Sequence, residues 1–181
     1  GLVSDGTNLY VVDRDNHRIR KIVISSGVVT TLAGSGNPAF ADGTGANASF
    51  DTPYGIVSDG SNLYISDKNN HKIRKIVISS GVVTTLAGSG NSGSTDATSG
   101  TSASFNKPTG ITRDGTNLYV TGSESHKIRK IVISSGAVTT LAGSGNPGST
   151  DGTGTSASFS NPTGITSDGT YLYVADQDNH K

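Results

Sequence analysis

The chain is built from one unit that occurs three times and is followed by the start of a fourth copy. The units cover residues 1–54, 55–109, 110–163 and 164–181, which gives lengths of 54, 55, 54 and 18 residues. The copies are nearly identical, because residues 19–37 recur unchanged as 73–91 and recur as 128–146 with one change, at Ala137. Repeats of this size indicate an array whose units bury their apolar surfaces against one another.

Each unit contains four short runs of β-forming residues that are separated by turn-forming residues. In the second unit these runs are residues 55–58, 63–66, 71–78 and 82–87, and Gly, Asp, Asn or Ser lies between them. Val, Ile, Thr and Tyr dominate the runs, which favours strands over helices. Four antiparallel strands joined by tight hairpins make one blade of a β-propeller, with strands a, b, c and d counted outwards from the axis. The sequence therefore predicts an all-β propeller with three full blades plus strands a and b of a fourth.

The remainder of each unit is a linker rich in Gly, Ser and Thr. Every linker ends in Ala-Ser-Phe followed by a Pro that precedes the next strand, and we predict that these residues form a plug beneath the next blade. The residues are Phe50, Phe105 and Phe159 with Pro53, Pro108 and Pro162. We expect each linker to be ordered at this end and mobile in its middle.

The stretch Tyr-Val-Val-Asp-Arg-Asp-Asn-His-Arg-Ile-Arg-Lys-Ile at positions 10–22, its counterpart at 64–76 and the Pro-x-Gly-Ile segments at Pro108 and Pro162 resemble NHL repeats. The long linker with its Ala-x-Phe anchor is similar to the bacterial, extracellular-type variant of that family. The resemblance covers the whole chain and implies a β-propeller, commonly six-bladed, of a kind that more often serves as a binding scaffold than as a catalyst. The third unit departs from the pattern at residues 121–125, where we expect a looser turn.

Charge and composition argue against several classes of partner. The 14 basic and 14 acidic residues cancel, whereas proteins that bind nucleic acid or anionic membranes usually carry a basic excess. Strand c of each full unit does begin with basic residues, such as Arg18, Arg20 and Lys21, but no aromatic residue lies among them to stack on bases. We expect these basic residues to pair with carboxylates of the turns. No apolar run approaches the ~20 residues of a membrane helix. We therefore expect neither nucleic-acid binding nor membrane insertion.

Histidine and aspartate recur at fixed places, and we assign them to blade structure. A metal site needs ligands that converge on one point, whereas residues repeated around a ring are held apart. The residues concerned are His17, His71, His126 and His180 with Asp13, Asp67 and Asp176. The Asp-Gly turns at Asp5, Asp59, Asp114 and Asp168 lack the acidic density of a calcium loop and are typical of tight turns. Cysteine is absent, so the sequence predicts no thiolate site, and we expect no metal or cofactor.

The sequence shows no candidate catalytic constellation. The only glutamate, Glu124, lies in a hairpin turn, and the innermost strands repeat almost unchanged apart from Arg113. Catalytic sites need groups in unlike environments, so we predict that these residues do not form an enzyme. Asn47 begins an Asn-Ala-Ser glycosylation sequon, which matters only in a host that uses it.

Three and a third units are too few to close a propeller, because known propellers have roughly 4 to 8 blades. We expect either further blades in a longer chain or, as the second choice, assembly with other copies into a closed ring, paired half-rings or a filament. Uniform blades favour a secreted or cell-surface structural or adhesive scaffold that binds other copies and, as a second role, protein or glycan ligands. The alternatives are a lyase or lactonase whose catalytic blades lie outside these residues, and a carbohydrate-binding or protein-binding module.

Overall fold

The computed structural model describes residues 1–181 and consists of strands joined by tight turns and linkers. The strands are β1 Leu2–Ser4, β2 Asn8–Asp13, β3 Arg18–Val23, β4 Val29–Ala33, β5 Gly43–Thr44, β6 Pro53–Ser58, β7 Asn62–Asp67, β8 Lys72–Val77, β9 Val82–Ala87, β10 Pro108–Arg113, β11 Asn117–Gly122, β12 Lys127–Val132, β13 Val138–Ala142, β14 Pro162–Ser167 and β15 Leu172–Asp176. The helical elements are single 3-10 turns at Gly45–Asn47, Gly100–Ser102, Gly154–Ser156 and Gln177–Asn179. None of the helical segments has the length and apolar character needed to cross a membrane.

The strands form three antiparallel four-stranded blades and a two-stranded fragment, as the sequence predicted. Their orders are β1-β2-β3-β4, β6-β7-β8-β9, β10-β11-β12-β13 and β14-β15, with β5 added to the outer edge of the second blade. Strand a starts at the linker proline in the second, third and fourth units, two residues before the repeat boundary used above. A bulge follows each of these prolines, as between Pro108 and Ile111, and it lets a residue without an N–H begin a paired strand.

Successive blades pack through their first strands, so strand a lines the inner side of the array. A β-carbon placed on Gly55 would overlap the carbonyl oxygen of Thr109, and one placed on Gly110 would overlap that of Thr163. Neither glycine has a positive φ, so these two positions require glycine because of the close approach of neighbouring backbones. Where another blade follows, the glycine that opens the unit therefore sets the spacing between blades.

Two apolar cores lie between the three full blades. The first contains Tyr10, Val12 and Ile19 of blade 1 against Leu63 and Ile76 of blade 2. The second joins blades 2 and 3 in the same way. Apolar side chains occupy both faces of the middle blade, and this explains why its strands do not alternate strictly between apolar and polar residues.

The middle of the first linker and that of the second bond to the blade that follows, whereas their composition predicted a mobile middle. In the first linker, Gly43 and Thr44 pair with Val83 and Val82 at the edge of blade 2. The following 3-10 turn then leads to the buried Ala-Ser-Phe segment. Backbone groups of the first linker therefore hydrogen-bond to the next blade. Its polar middle adds a short strand to that blade, where the sequence indicated a free loop.

Candidate functional site

Four carboxylates organise the a–b hairpins. Asp59 accepts hydrogen bonds from the backbone N–H groups of Ser61 and Asn62, from the Asn62 side chain and from the Tyr64 hydroxyl at 2.8 Å. Burial alone would raise the pKa of Asp59, but the hydrogen bonds from Asn62 and Tyr64 hold it down at about 2. Asp5, Asp114 and Asp168 make the corresponding hydrogen bonds to their own turns. These oxygens are committed to the turns and face no site for an ion.

Three of the four repeated histidines connect their blade to the last linker residue before the next blade. In each case the Nδ1 atom of the histidine accepts a hydrogen bond from a backbone N–H. The pairs are His17 with Thr52 at 3.1 Å, His71 with Lys107 at 3.2 Å and His126 with Asn161 at 3.1 Å. Each donor residue directly precedes a linker proline and has a positive φ, between 48° and 54°. Left-handed backbone costs about 1 to 3 kcal/mol at a non-glycine residue, so the histidine supports a strained turn. His180 is exposed, and its ring accepts no such hydrogen bond.

The His71 hydrogen bond predicts a pH-dependent stability. Burial lowers the pKa of His71, and the Lys107 ammonium adds to this effect, so the unfolded chain binds the proton more readily. The free energy of unfolding is therefore expected to fall as pH decreases from about 6.5 through the lowered pKa of the folded state. Denaturant melts across pH 5 to 8 should show a shallower slope for His71→Gln than for the parent chain, since Gln accepts the bond without titrating. His180→Gln is the matched control, and an equal change in both variants would contradict the assignment.

A buried arginine in strand c clamps the linker in each of the two interior blades. In blade 2, the Arg74 guanidinium donates to Asp67 at 2.7 Å and to Asp42 at 2.6 Å. It also donates to the carbonyl oxygens of Ala41 and Ser49, and lies over the Phe50 ring. Asp42 in turn accepts the Thr85 N–H at the outer strand. The clamp therefore ties the linker to strands b, c and d of the blade that follows it.

The third blade keeps this clamp with one carboxylate fewer. Gly122 occupies the place of Asp67, so Arg129 pairs with Asp96 at 2.7 Å and donates to the carbonyl oxygens of Thr95 and Ser104. The altered turn, which we expected to be looser, has the same left-handed histidine at its end. Ser123 donates its N–H and its hydroxyl to the Lys107 carbonyl oxygen, so a pair of donors holds this turn to the linker end, whereas Asp67 and Asp176 accept a linker N–H in their blades.

The remaining predicted structural residues lie along the same blade junctions. Phe50 and Phe105 are fully buried between blades, Phe159 is half-buried, and Pro53, Pro108 and Pro162 are buried at the start of strand a. Asp13 pairs with Arg20 at 3.1 Å, and Asp176 accepts the Ser160 N–H and the Asn179 side chain. Asn47 is exposed on the first 3-10 turn. The structure brings none of these residues together with others into a cluster that could bind a metal.

The linker aspartates Asp42 and Asp96 are the functional contacts that sequence reasoning missed. They lie more than 30 residues before their arginine partners, and the pairing therefore crosses from a linker to the next blade. The sequence signal for this pairing is an Asp at the same position of each linker together with an Arg at the same position of each strand c. The strand-c bases were expected to pair with turn carboxylates, as Arg20 does with Asp13 and Arg74 with Asp67. Their burial against a linker carboxylate, as in Arg74 and Arg129, was not expected.

A polar cavity of about 550 Å³ lies where the third unit departs from the repeat. It is lined by Lys68, Asn106, Ser123, Glu124, His126, Asn161 and Asp178, with no apolar side chain. Glu124 is paired with Lys107, and Nδ1 of His126 is already occupied by the Asn161 N–H. The cavity can offer hydrogen bonds to a polar ligand, but its His and Glu are not arranged as a free acid–base pair.

Comparison with known proteins gives relatives in sequence and in structure. No family model matches the chain. Human NHL repeat-containing protein 2 is 32% identical over 144 residues, which cover 74% of this chain and 20% of that protein. A Bacteroides thetaiotaomicron protein of unknown function superposes with a TM-score of 0.73 at 26% identity, covering 94% of this chain and 42% of that one. Virginiamycin B lyase from Staphylococcus aureus superposes with a TM-score of 0.61 at 17% identity, covering 97% and 48%. The chain thus spans about a fifth of its curated relatives.

Proposed function

Because the chain belongs to the NHL-repeat family, we propose that it is a non-enzymatic propeller segment that serves as an extracellular structural or adhesive scaffold. The proposal is supported by the uniformity of the blades. Each junction repeats the same glycine contact, histidine hydrogen bond and phenylalanine plug, with no junction specialised for chemistry. Identical surfaces repeated along an array suit multivalent binding and assembly.

The observation that carries this proposal is that each blade needs a neighbouring blade to bury its apolar faces. Val29, on the outer strand of blade 1, is 49% exposed, whereas its counterpart Val83 in blade 2 is 1% exposed. At the other end Tyr173 is 55% exposed, whereas its counterpart Tyr64 is 1% exposed. The same side chains are thus buried wherever a complete neighbouring blade is present. Exposed apolar faces of this kind favour contact with further blades or with other copies.

Native mass spectrometry combined with electron microscopy of the 181-residue chain tests the scaffold. We expect particles heavier than the 18.4 kDa chain, in the form of rings, paired half-rings or filaments. Val29→Lys should reduce the particle mass, because it places a charge on the open face, and Thr30→Lys on the neighbouring exposed position is the control. A soluble, folded species that stays at the mass of one chain would overturn assembly through these faces.

The second candidate function is binding of a polar ligand such as a carbohydrate. It is favoured by one observation, which is that the 550 Å³ polar cavity coincides with Ser123 and Glu124, where the repeat is broken. A binding site is expected to differ between blades, whereas a purely structural turn is not. Saturable oligosaccharide binding that Glu124→Gln weakens would favour this function over the scaffold alone.

A further inference from the structure

The turns between strands b and c are where the near-identical units differ most. The four residues before the repeated histidine are Asp-Arg-Asp-Asn, Asp-Lys-Asn-Asn, Gly-Ser-Glu-Ser and Asp-Gln-Asp-Asn in the successive units. The two linker residues before each proline, at 51–52, 106–107 and 160–161, differ as well. The histidine hydrogen bonds bring these two variable segments together at the same end of each blade. The opposite end, with its Asp-Gly and Ser-Ser-Gly turns, is nearly uniform.

The polar cavity of about 550 Å³ lies at this variable end and follows from the residues of the third unit. In blade 2, the Asn69 side chain donates to the Asp51 carboxylate at 3.2 Å and to the Thr52 hydroxyl at 3.0 Å, and no cavity is lined by these three residues. In blade 3 the corresponding turn carries Ser123 and Glu124, which both line the cavity. Both blades have all four strands, so the difference between them comes from the substituted turn.

The turn of the fourth unit forms the far wall of the cavity and is built as in blade 2. The Asp178 N–H donates to the Ser160 carbonyl oxygen at 3.1 Å, as its counterpart Asn69 donates to the Asp51 carbonyl oxygen at 3.1 Å. Asp178 and Asn69 are both exposed. The Asp178 side chain therefore lies where a complete blade holds the residue at this position.

The cavity has opposite charges at its two ends. Lys68 of blade 2 takes part in no ion pair, and its ammonium lies 5.5 Å from the centre of the Tyr54 ring. Asp178 of the fourth unit also has no ion pair and accepts the Asn161 side chain at 3.3 Å. Glu124, between them, is already paired with a lysine. A ligand with an anionic and a cationic group gains two charge-assisted hydrogen bonds here, whereas a neutral sugar gains weaker ones.

We propose that this cavity binds a short zwitterionic peptide, with its terminal carboxylate at Lys68 and its terminal ammonium at Asp178. Asn106 and Asn161 line the space between, and their side-chain amides can donate to and accept from a peptide backbone. Nδ1 of His126 accepts a hydrogen bond, so Nε2 of the neutral ring carries the proton and can donate to a peptide carbonyl oxygen. The inference rests on the second candidate function, binding of a polar ligand, and names the class of that ligand.

Isothermal titration calorimetry of the intact 181-residue chain with trialanine tests this assignment. We expect saturable binding that is about tenfold weaker for trialanine amide, which lacks the carboxylate, and about tenfold weaker for N-acetyl-trialanine, which lacks the ammonium. Lys68→Gln should abolish the discrimination against the amide, and Asp178→Asn should abolish that against the acetylated peptide. Lys75→Gln is the matched control, because it removes a lysine that has no ion pair and does not line the cavity, and it should leave all three affinities unchanged.

Absence of trialanine binding, equal affinity for the three peptides, or unchanged discrimination in the folded Lys68→Gln and Asp178→Asn variants would overturn the proposal. The comparison of the three peptides uses the unsubstituted chain, so it holds even where a variant fails to fold, and circular dichroism melts identify such a variant. Saturable binding of a neutral oligosaccharide without binding of trialanine would overturn this inference and leave the second candidate function standing. Binding of neither would overturn both.

Discussion

Gly110→Ala is expected to lower the free energy of unfolding by roughly 3 kcal/mol, while the same change at Gly164 is neutral or stabilising. The new β-carbon at position 110 would overlap the carbonyl oxygen of Thr163 in the next blade. The strand cannot move away, because the Gly110 N–H also donates to the Thr121 hydroxyl at 2.8 Å. Relief of the overlap therefore requires the two inner strands to separate.

Gly164 is the matched control within the same protein. It opens the last unit as Gly110 opens the third, but a β-carbon there meets only the Ala175 side chain at 3.5 Å, an ordinary contact. Alanine at this position restricts the unfolded chain and is expected to add about 0.4 to 1 kcal/mol. Thermal and denaturant melts at concentrations low enough for single chains measure both variants. Equal destabilisation of the two would contradict the steric explanation.

The strands and hairpins were predictable from the sequence because each depends on local chemistry. A run such as Leu63-Tyr64-Ile65 between Asp-Gly and Asp-Lys-Asn-Asn turns contains the signal for a strand, and repetition shows that the signal is not accidental. The apolar residues on both faces of strand c are a further sequence signal that blades pack between two neighbours, because a one-sided sheet would alternate strictly. The structure places these residues in the cores between blades.

The contacts between blades were less predictable, because they join residues more than 30 positions apart. The histidines were assigned to blade structure with no partner identified, whereas His71 accepts a hydrogen bond from the Lys107 N–H at the start of the next blade. Likewise the polar linker was expected to be mobile, since nothing local marks Asp42 as the partner of Arg74. A buried cation needs a carboxylate, so the fixed occurrence of both residues in each unit was the available clue.

Phe105→Ala is expected to lower the free energy of unfolding by about 3 to 5 kcal/mol, because it empties the plug between blades 2 and 3. Phe105 is 1% exposed and lies in the core that also contains Tyr64 and Ile73 of blade 2 and Leu118 of blade 3. The Arg129 guanidinium lies over the ring, 5.2 Å from its centroid. The truncation therefore leaves a cavity beneath a buried cation as well as between two sheets.

Because this cavity lies between two blades, the same substitution is also expected to lower the cooperativity of unfolding. In repeat arrays each unit is stabilised mainly by its nearest neighbours, so a cavity at one junction weakens the coupling of the units on either side. Phe105→Ala should broaden the melting transition or split it in two, with the lower midpoint displaced by roughly 6 to 20 °C. Phe159→Ala is the matched control, since its half-buried ring has no complete blade on its far side and should cost less. Differential scanning calorimetry of both variants measures midpoint and width, and similar shifts for the two would show that the plug does not couple blades.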